Sequence, residues 1–218
     1  MKRNIHLEDI TDGKLYQSND LVKIGCDDCS GCSSCCSNME ALVLDPYDVH
    51  QLKKGLGKTF EELLSHAIEI GSVDGLLLPF MKTSGEQGHC SFLNEEGRCD
   101  IHHFRPGICR LFPLGRYYHD GTFSYVLQIG ECDKPLKAKI KIKKWLGIGD
   151  LKQYETFALN WHDFLVEIQE ELPSLSEEER KILAMYLLRT FYQGDLGEEF
   201  YENFDQVLNK AKKDLNLI

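Results

Sequence analysis

"GCDDCSGCSSCC", Gly25 to Cys36, holds five of the chain's nine cysteines and ends on two adjacent ones. Cys26, Cys29 and Cys32 are each separated by two residues, and three more separate Cys32 from Cys36. That spacing, C-x2-C-x2-C-x3-C, is the ligand run of bacterial ferredoxins, here without the proline that follows it there, because Ser37 occupies that place. Two-residue gaps let successive thiolates turn inward around one centre, and the Ser and Gly in the gaps permit those turns. A second parsing takes Cys29, Cys32, Cys35 and Cys36 as C-x2-C-x2-C-C. Adjacent side chains leave the backbone in different directions, so Cys35 and Cys36 suit two centres, or one centre and a bridging position. A plain zinc finger does not explain that doublet.

The other cysteines lie in "CSFLNEEGRCDIHHFRPGICRLFP" (Cys90 to Pro113) and "GEC" (Gly130 to Cys132). Cys90 and Cys99 flank a Gly-containing turn, Cys109 follows an Arg-Pro-Gly bend, and no cysteine follows Cys132. An odd count fits full disulfide pairing poorly, and a chain of 218 residues with 42% hydrophobic content can bury a core without such staples. Residues 1–25 carry no apolar core of a secretory leader, and no apolar run approaches a membrane span. The expected location is the cytoplasm, where thiols stay reduced, and the expected chemistry is metal or cluster ligation. A continuous thiol run favours a cubane iron–sulfur cluster over zinc, whose structural sites usually come as two distant pairs. The surplus thiols leave room for a second iron or zinc site.

Charged side chains flank the second block. Arg105 and Arg110 would offset the negative charge of a thiolate-bound centre. His89, His102 and His103 lie beside Cys90 and Cys99 and have nitrogens suited to zinc or iron. The net charge of −10 opposes a polyphosphate partner, so no nucleic acid is expected. The one basic stretch, Lys134 to Trp145, reads as a solvated helix face or an edge strand. No P-loop, dinucleotide-binding glycine motif, nucleophile elbow or HExxH pair is present, and no catalytic residue is assigned.

The expected fold is α+β and mostly helical, with a cysteine-rich metal-binding half of short strands and a hairpin followed by a C-terminal helical lobe. The cysteine distribution suggests residues 1–135 as the metal-binding region and 136–218 as a lobe packed on it, with a single domain as the alternative. In the first half, Asp45-Pro46 opens a helix, and Thr59 with Glu62 caps another whose apolar stripe runs through Leu63, Leu64, Ala67 and Ile68. "GLLLPFMK" (Gly75 to Lys82) reads as a buried strand, and Gly115 to Gly130 as a hairpin turning at Asp120-Gly121. Beyond Leu151, apolar residues recur every three or four positions up to Pro173. Ser176 with Glu179 caps the next helix, and a last one carries Phe200, Phe204, Val207, Leu208, Ala211 and Leu215. The aromatic residues of these helices read as core.

"CSGCSSCC" (Cys29 to Cys36), followed by C-S-F-L, G-R-C-D-I-H, R-P and C-R-L-F-P between Cys90 and Pro113, resembles the YkgJ-type cysteine-cluster proteins. These are the CxxCxxCC family, a zinc- or iron-chelating domain, and a related cysteine cluster occurs in flagellin lysine-N-methylases. The resemblance covers about Cys26 to Cys132. It implies Cys29, Cys32, Cys35, Cys36, Cys90, Cys99 and Cys109 as ligands, with Cys26 an addition in front and Cys132 corresponding to a later cysteine. Where family members often carry Ile-Tyr this chain has Ile101-His102, which puts His102 in the ligand set or beside it.

Three functions follow as expectations. The first is a protein holding a [4Fe–4S] cluster, or iron or zinc, for electron transfer, metal handling or sensing. The second is a protein-modifying enzyme akin to the lysine-N-methylases. The third is a structural zinc module whose C-terminal helices bind another protein.

Overall fold

The computed structural model describes residues 6–24, 33–37, 42–85, 88–132 and 138–217. Cys26, Cys29 and Cys32 lie outside the described residues. In chain order the elements are α1 (Leu7–Ile10), β1 (Leu21–Lys23), α2 (Pro46–Leu56), α3 (Phe60–His66), β2 (Ile68–Val73), β3 (Leu76–Met81), β4 (Thr83–Ser84) and β5 (His89–Cys90). They continue with α4 (Gly107–Leu111), β6 (Leu114–His119), β7 (Thr122–Leu127), β8 (Lys139–Lys141), α5 (Ile142–Leu146), α6 (Leu151–Glu171), α7 (Glu177–Leu188) and α8 (Phe200–Asp214). Single turns of 3-10 helix stand at Ser34–Cys36, His102–Phe104 and Leu172–Ser174. The fold is α+β and mostly helical, and every sheet among the described residues is a two-stranded antiparallel pair. No helix among them is long and apolar enough to cross a membrane.

The chain folds as two compact units, Met1–Glu40 with Thr83–Leu151, and Ala41–Lys82 with Lys152–Ile218. This grouping differs from the single boundary at 135/136 suggested by the cysteine distribution, because residues 41–82 associate with the C-terminal helices. Their apolar faces are the cause: Val49, Leu52, Leu63 and Ile68 are completely buried, and Leu78 nearly so.

Local chemistry sets the ends of the second unit's elements. Asp45 and Asp48 exchange side-chain and backbone hydrogen bonds in a capping box at the start of α2, and Pro46 supplies the first helical residue. Gly57 closes α2 in the left-handed region. Thr59 and Glu62 cap α3, and Ser176 and Glu179 cap α7, in the same reciprocal way. The apolar stripe that suggests a helix through Ile68 stops earlier, at His66. Ile68 starts β2, because Asp74 and Gly75, both at positive φ, form a tight turn that folds Ile68–Val73 back on Leu76–Met81.

The interior of this unit is aromatic. Phe204 lies edge-on to Phe157 with centroids 4.6 Å apart, and Trp161 packs on Phe191 at 4.9 Å. A π-helical turn over Arg189–Gln193 lets the consecutive Phe191 and Tyr192 both point inward, each 1% exposed. The Tyr192 hydroxyl donates to the Leu44 carbonyl at 3.2 Å, so its buried polar end is satisfied. These rings are core, as the helical periodicity predicts. Truncating Phe204, which is fully buried, removes several ring contacts at once and leaves a cavity. Phe204→Ala should cost about 3–5 kcal/mol in urea unfolding, and a loss near zero would contradict the packing described.

Candidate metal centre

The first unit places its cysteines on short, tightly bonded segments. Cys35 and Cys36 sit on the 3-10 turn Ser34–Cys36, closed by the Cys36 N–H donating to the Ser33 carbonyl at 2.8 Å. Cys90 ends β5, paired in register with Thr83 of β4. The loop from Cys90 to Cys99 is drawn tight by Asn94: its N–H donates to the Arg98 carbonyl at 2.9 Å, while its side-chain oxygen accepts from the Glu96 and Arg98 amides. Gly97, at φ 71°, makes the bend. An isolated bridge from Leu93 to Cys99 completes it. Cys109 lies on α4, after the Arg105-Pro106 bend.

A hydrogen bond ties the two cysteine blocks together. His89 Nδ1 and the Ser37 hydroxyl are 3.0 Å apart, one residue from Cys90 and one from Cys36. Sequence spacing gave no sign of this pair, since the two residues are 52 positions apart. It accompanies a convergence of thiols: Cys36 lies within electrostatic reach of Cys35, Cys90 and Cys109, and Cys90 within reach of Cys35. Cys99 feels Cys90 in turn. All six described cysteines, these five and Cys132, carry thiols rather than disulfides.

The sulfurs of Cys35 and Cys36 are 3.9 Å apart and share a proton. The Cys36 thiol donates to Cys35, and with help from the Arg105 guanidinium this holds Cys35 down to about 7 against the resistance of burial. The same proton is held on Cys36, first by that bond and then by burial and neighbouring thiolates, so Cys36 is pushed far up. Burial also raises Cys90 and Cys99. Opposing that rise, the Phe92 amide donates to Cys90 and the Ile101 amide to Cys99, each from two residues ahead. Amides aimed at sulfur in this way stabilise a thiolate once a cation is present.

The charged neighbours divide by role. Arg105 is the arginine whose field acts on Cys35 and Cys99. Its Nη1 donates to the His102 carbonyl at 3.1 Å and to His102 Nε2, so that nitrogen carries the lone pair and His102 positions the arginine. Arg110 donates to the carbonyls of Arg105, at 3.1 Å, and His103, and thereby fixes the bend that leads into Cys109. Trp145 Nε1 donates to the Phe112 carbonyl at 3.1 Å and anchors the end of α4. Cys132 is half-buried within the same unit.

Among the described residues, no three His, Cys, Asp or Glu side chains stand together as a group that could hold a metal ion. Cys26, Cys29 and Cys32, the front of the ferredoxin-like run, are outside that description. The donor chemistry fits a thiophilic metal all the same: soft sulfur ligands, a compensating guanidinium and amides directed at two of the thiols.

Residues 28–134 match the CxxCxxCC family model. It is described as a "Putative zinc- or iron-chelating domain". The match takes in every cysteine except Cys26 and ends before β8, and it supports zinc or iron binding by this segment. No curated protein matches the chain, and no solved structure does.

The shared proton has a direct consequence in the reduced, metal-free protein. A depressed thiol is ionised above its folded value and protonated below it, so alkylation of the doublet by iodoacetamide should rise through about pH 7. An ordinary thiol does so near about 8.5. Cys36→Ala removes the donor and should raise the midpoint most, and Arg105→Gln should raise it less. A midpoint at the ordinary value in the unsubstituted protein would contradict proton sharing.

Proposed function

We propose that this chain holds an iron–sulfur cluster of the [4Fe–4S] type through cysteines drawn from both blocks, and serves electron transfer, metal delivery or sensing. The observation that carries this reading is that Cys90 and Cys109 lie within electrostatic reach of Cys36, and Cys90 of Cys35, across more than 50 positions of sequence. Cys29 and Cys32 extend the doublet's block at the spacing of cluster-binding runs, and Cys99 joins through Cys90. Cys26 and Cys132 complete the thiol set, and donors beyond four leave a place for a second iron or zinc ion.

Bound in such a site, a cluster supplies one-electron capacity. The protein's own residues do the rest. Arg105 offsets the charge of the thiolates, which favours the reduced form and raises the potential. The Phe92 and Ile101 amides hold Cys90 and Cys99 in the orientation a metal requires. Arg110 keeps the 103–110 bend in place. A reducing compartment such as the cytoplasm suits a protein that must keep these thiols unpaired with one another.

Purification without oxygen, with visible absorption, iron, zinc and acid-labile sulfide measured on one sample, tests the reading. A broad visible band bleached by dithionite, with iron and sulfide in equal amounts, is expected. A colourless protein with stoichiometric zinc and no sulfide would overturn the cluster and leave a zinc-handling module.

A further inference from the structure

In a chain of net charge −10, one surface of the first unit is strongly basic. Strands β1 and β8 pair antiparallel, with Leu21 opposite Lys141, Val22 opposite Ile140 and Lys23 opposite Lys139. The two-residue period of a strand sorts these side chains onto two faces. Val22, 2% exposed, and the half-buried Ile140 face inward. Leu21, Lys23, Lys139 and Lys141 share the outer face and are all exposed. Helix α5 follows β8 directly and adds the exposed Lys143 and Lys144.

The frame beneath these lysines is firm. Ile142 and Leu146 are completely buried. The Ile142 amide donates to the Asp20 carbonyl at 3.1 Å, and the Lys143 amide to the Ser18 carbonyl at 2.8 Å. Among the described residues none of the five lysines has an ion-pair partner. Lys23 directly opposite Lys139 is a like-charge cross-strand pair, which destabilises a ribbon. Lysines on edge strands protect against strand-to-strand aggregation, but that role does not extend to Lys143 and Lys144 on a helix.

We propose that the β1–β8 ribbon and α5 form a docking face for an acidic protein surface. Charge complementarity names the partner's sign, and two further observations name its class. The chain's overall negative field repels an extended polyanion such as a nucleic acid or an anionic membrane along its whole length. A compact acidic patch meets chiefly the five lysines, because charges farther off than a Debye length of about 8 Å are screened. Leu21, 54% exposed amid the lysines, offers an apolar anchor that a protein partner can bury and a phosphate backbone cannot. The ribbon lies in the same unit as the thiols, with Lys23 shortly before Cys26 in the chain and Lys139 shortly after Cys132. The inference stands whether or not those cysteines hold a metal.

A fluorescein-labelled decaglutamate peptide, followed by anisotropy with the full chain, is the probe. Binding should weaken as salt rises. Lys23→Gln/Lys139→Gln/Lys141→Gln should weaken it about tenfold, as expected for losing three exposed charge contacts. The control Lys152→Gln/Lys181→Gln/Lys210→Gln changes the net charge equally and should leave affinity within about twofold. The ribbon variant relieves a like-charge pair, so its thermal midpoint should hold or rise. Lys143→Gln/Lys144→Gln supplies an independent weakening should the strand variant fail to fold. Equal losses in the ribbon and control variants would overturn the proposal. So would tighter binding to an oligothymidine of equal charge, or to phosphatidylserine vesicles, than to the peptide.

Discussion

Two thiols 3.9 Å apart, with Cys90 and Cys109 within electrostatic reach and Cys99 beyond Cys90, cannot all ionise unless positive charge is brought among them. Much of the first unit answers to that constraint. The doublet keeps one proton between its sulfurs. Arg105 brings a guanidinium to Cys35 and Cys99, and His102 holds that guanidinium in place. Backbone amides point at Cys90 and Cys99. Each device lowers the free energy of a thiolate that burial alone would disfavour. These groups lie within residues 28–134, the segment that matches the zinc- or iron-chelating family model.

The second unit meets a different demand. Its helices and the β2–β3 hairpin gain stability from aromatic burial rather than from a larger sheet, and the π-helical turn lets two consecutive aromatics both reach the interior. All six described cysteines lie in the other unit.

Much of this was legible in the residues themselves. Asp45-Pro46, Thr59 with Glu62, Ser176 with Glu179, Asp120-Gly121 and Pro173 act locally, and each sets the helix end or turn that its chemistry specifies. Ile68 was misleading because an apolar residue four positions after Leu64 satisfies helical spacing, while the Asp74-Gly75 turn that claims it for a strand lies farther along. The basic stretch before Trp145 combined both of its readings, an edge strand at Lys139–Lys141 and a helix at Ile142–Leu146. The grouping of residues 41–82 with the C-terminal helices was not legible, since cysteine content says nothing about which apolar faces meet. The His89–Ser37 contact and the division of labour between Arg105 and Arg110 depend on tertiary placement that no spacing encodes.

The central claim is that both cysteine blocks serve one centre. The most direct test is metal content, per protein, of anaerobically purified Cys36→Ser and Cys99→Ser variants beside the unsubstituted chain. A shared centre predicts that either substitution depletes the same metal by a similar fraction, with loss of any visible absorption in both. Loss of different metals, or a full complement retained in Cys99→Ser, would contradict it and divide the blocks into separate sites.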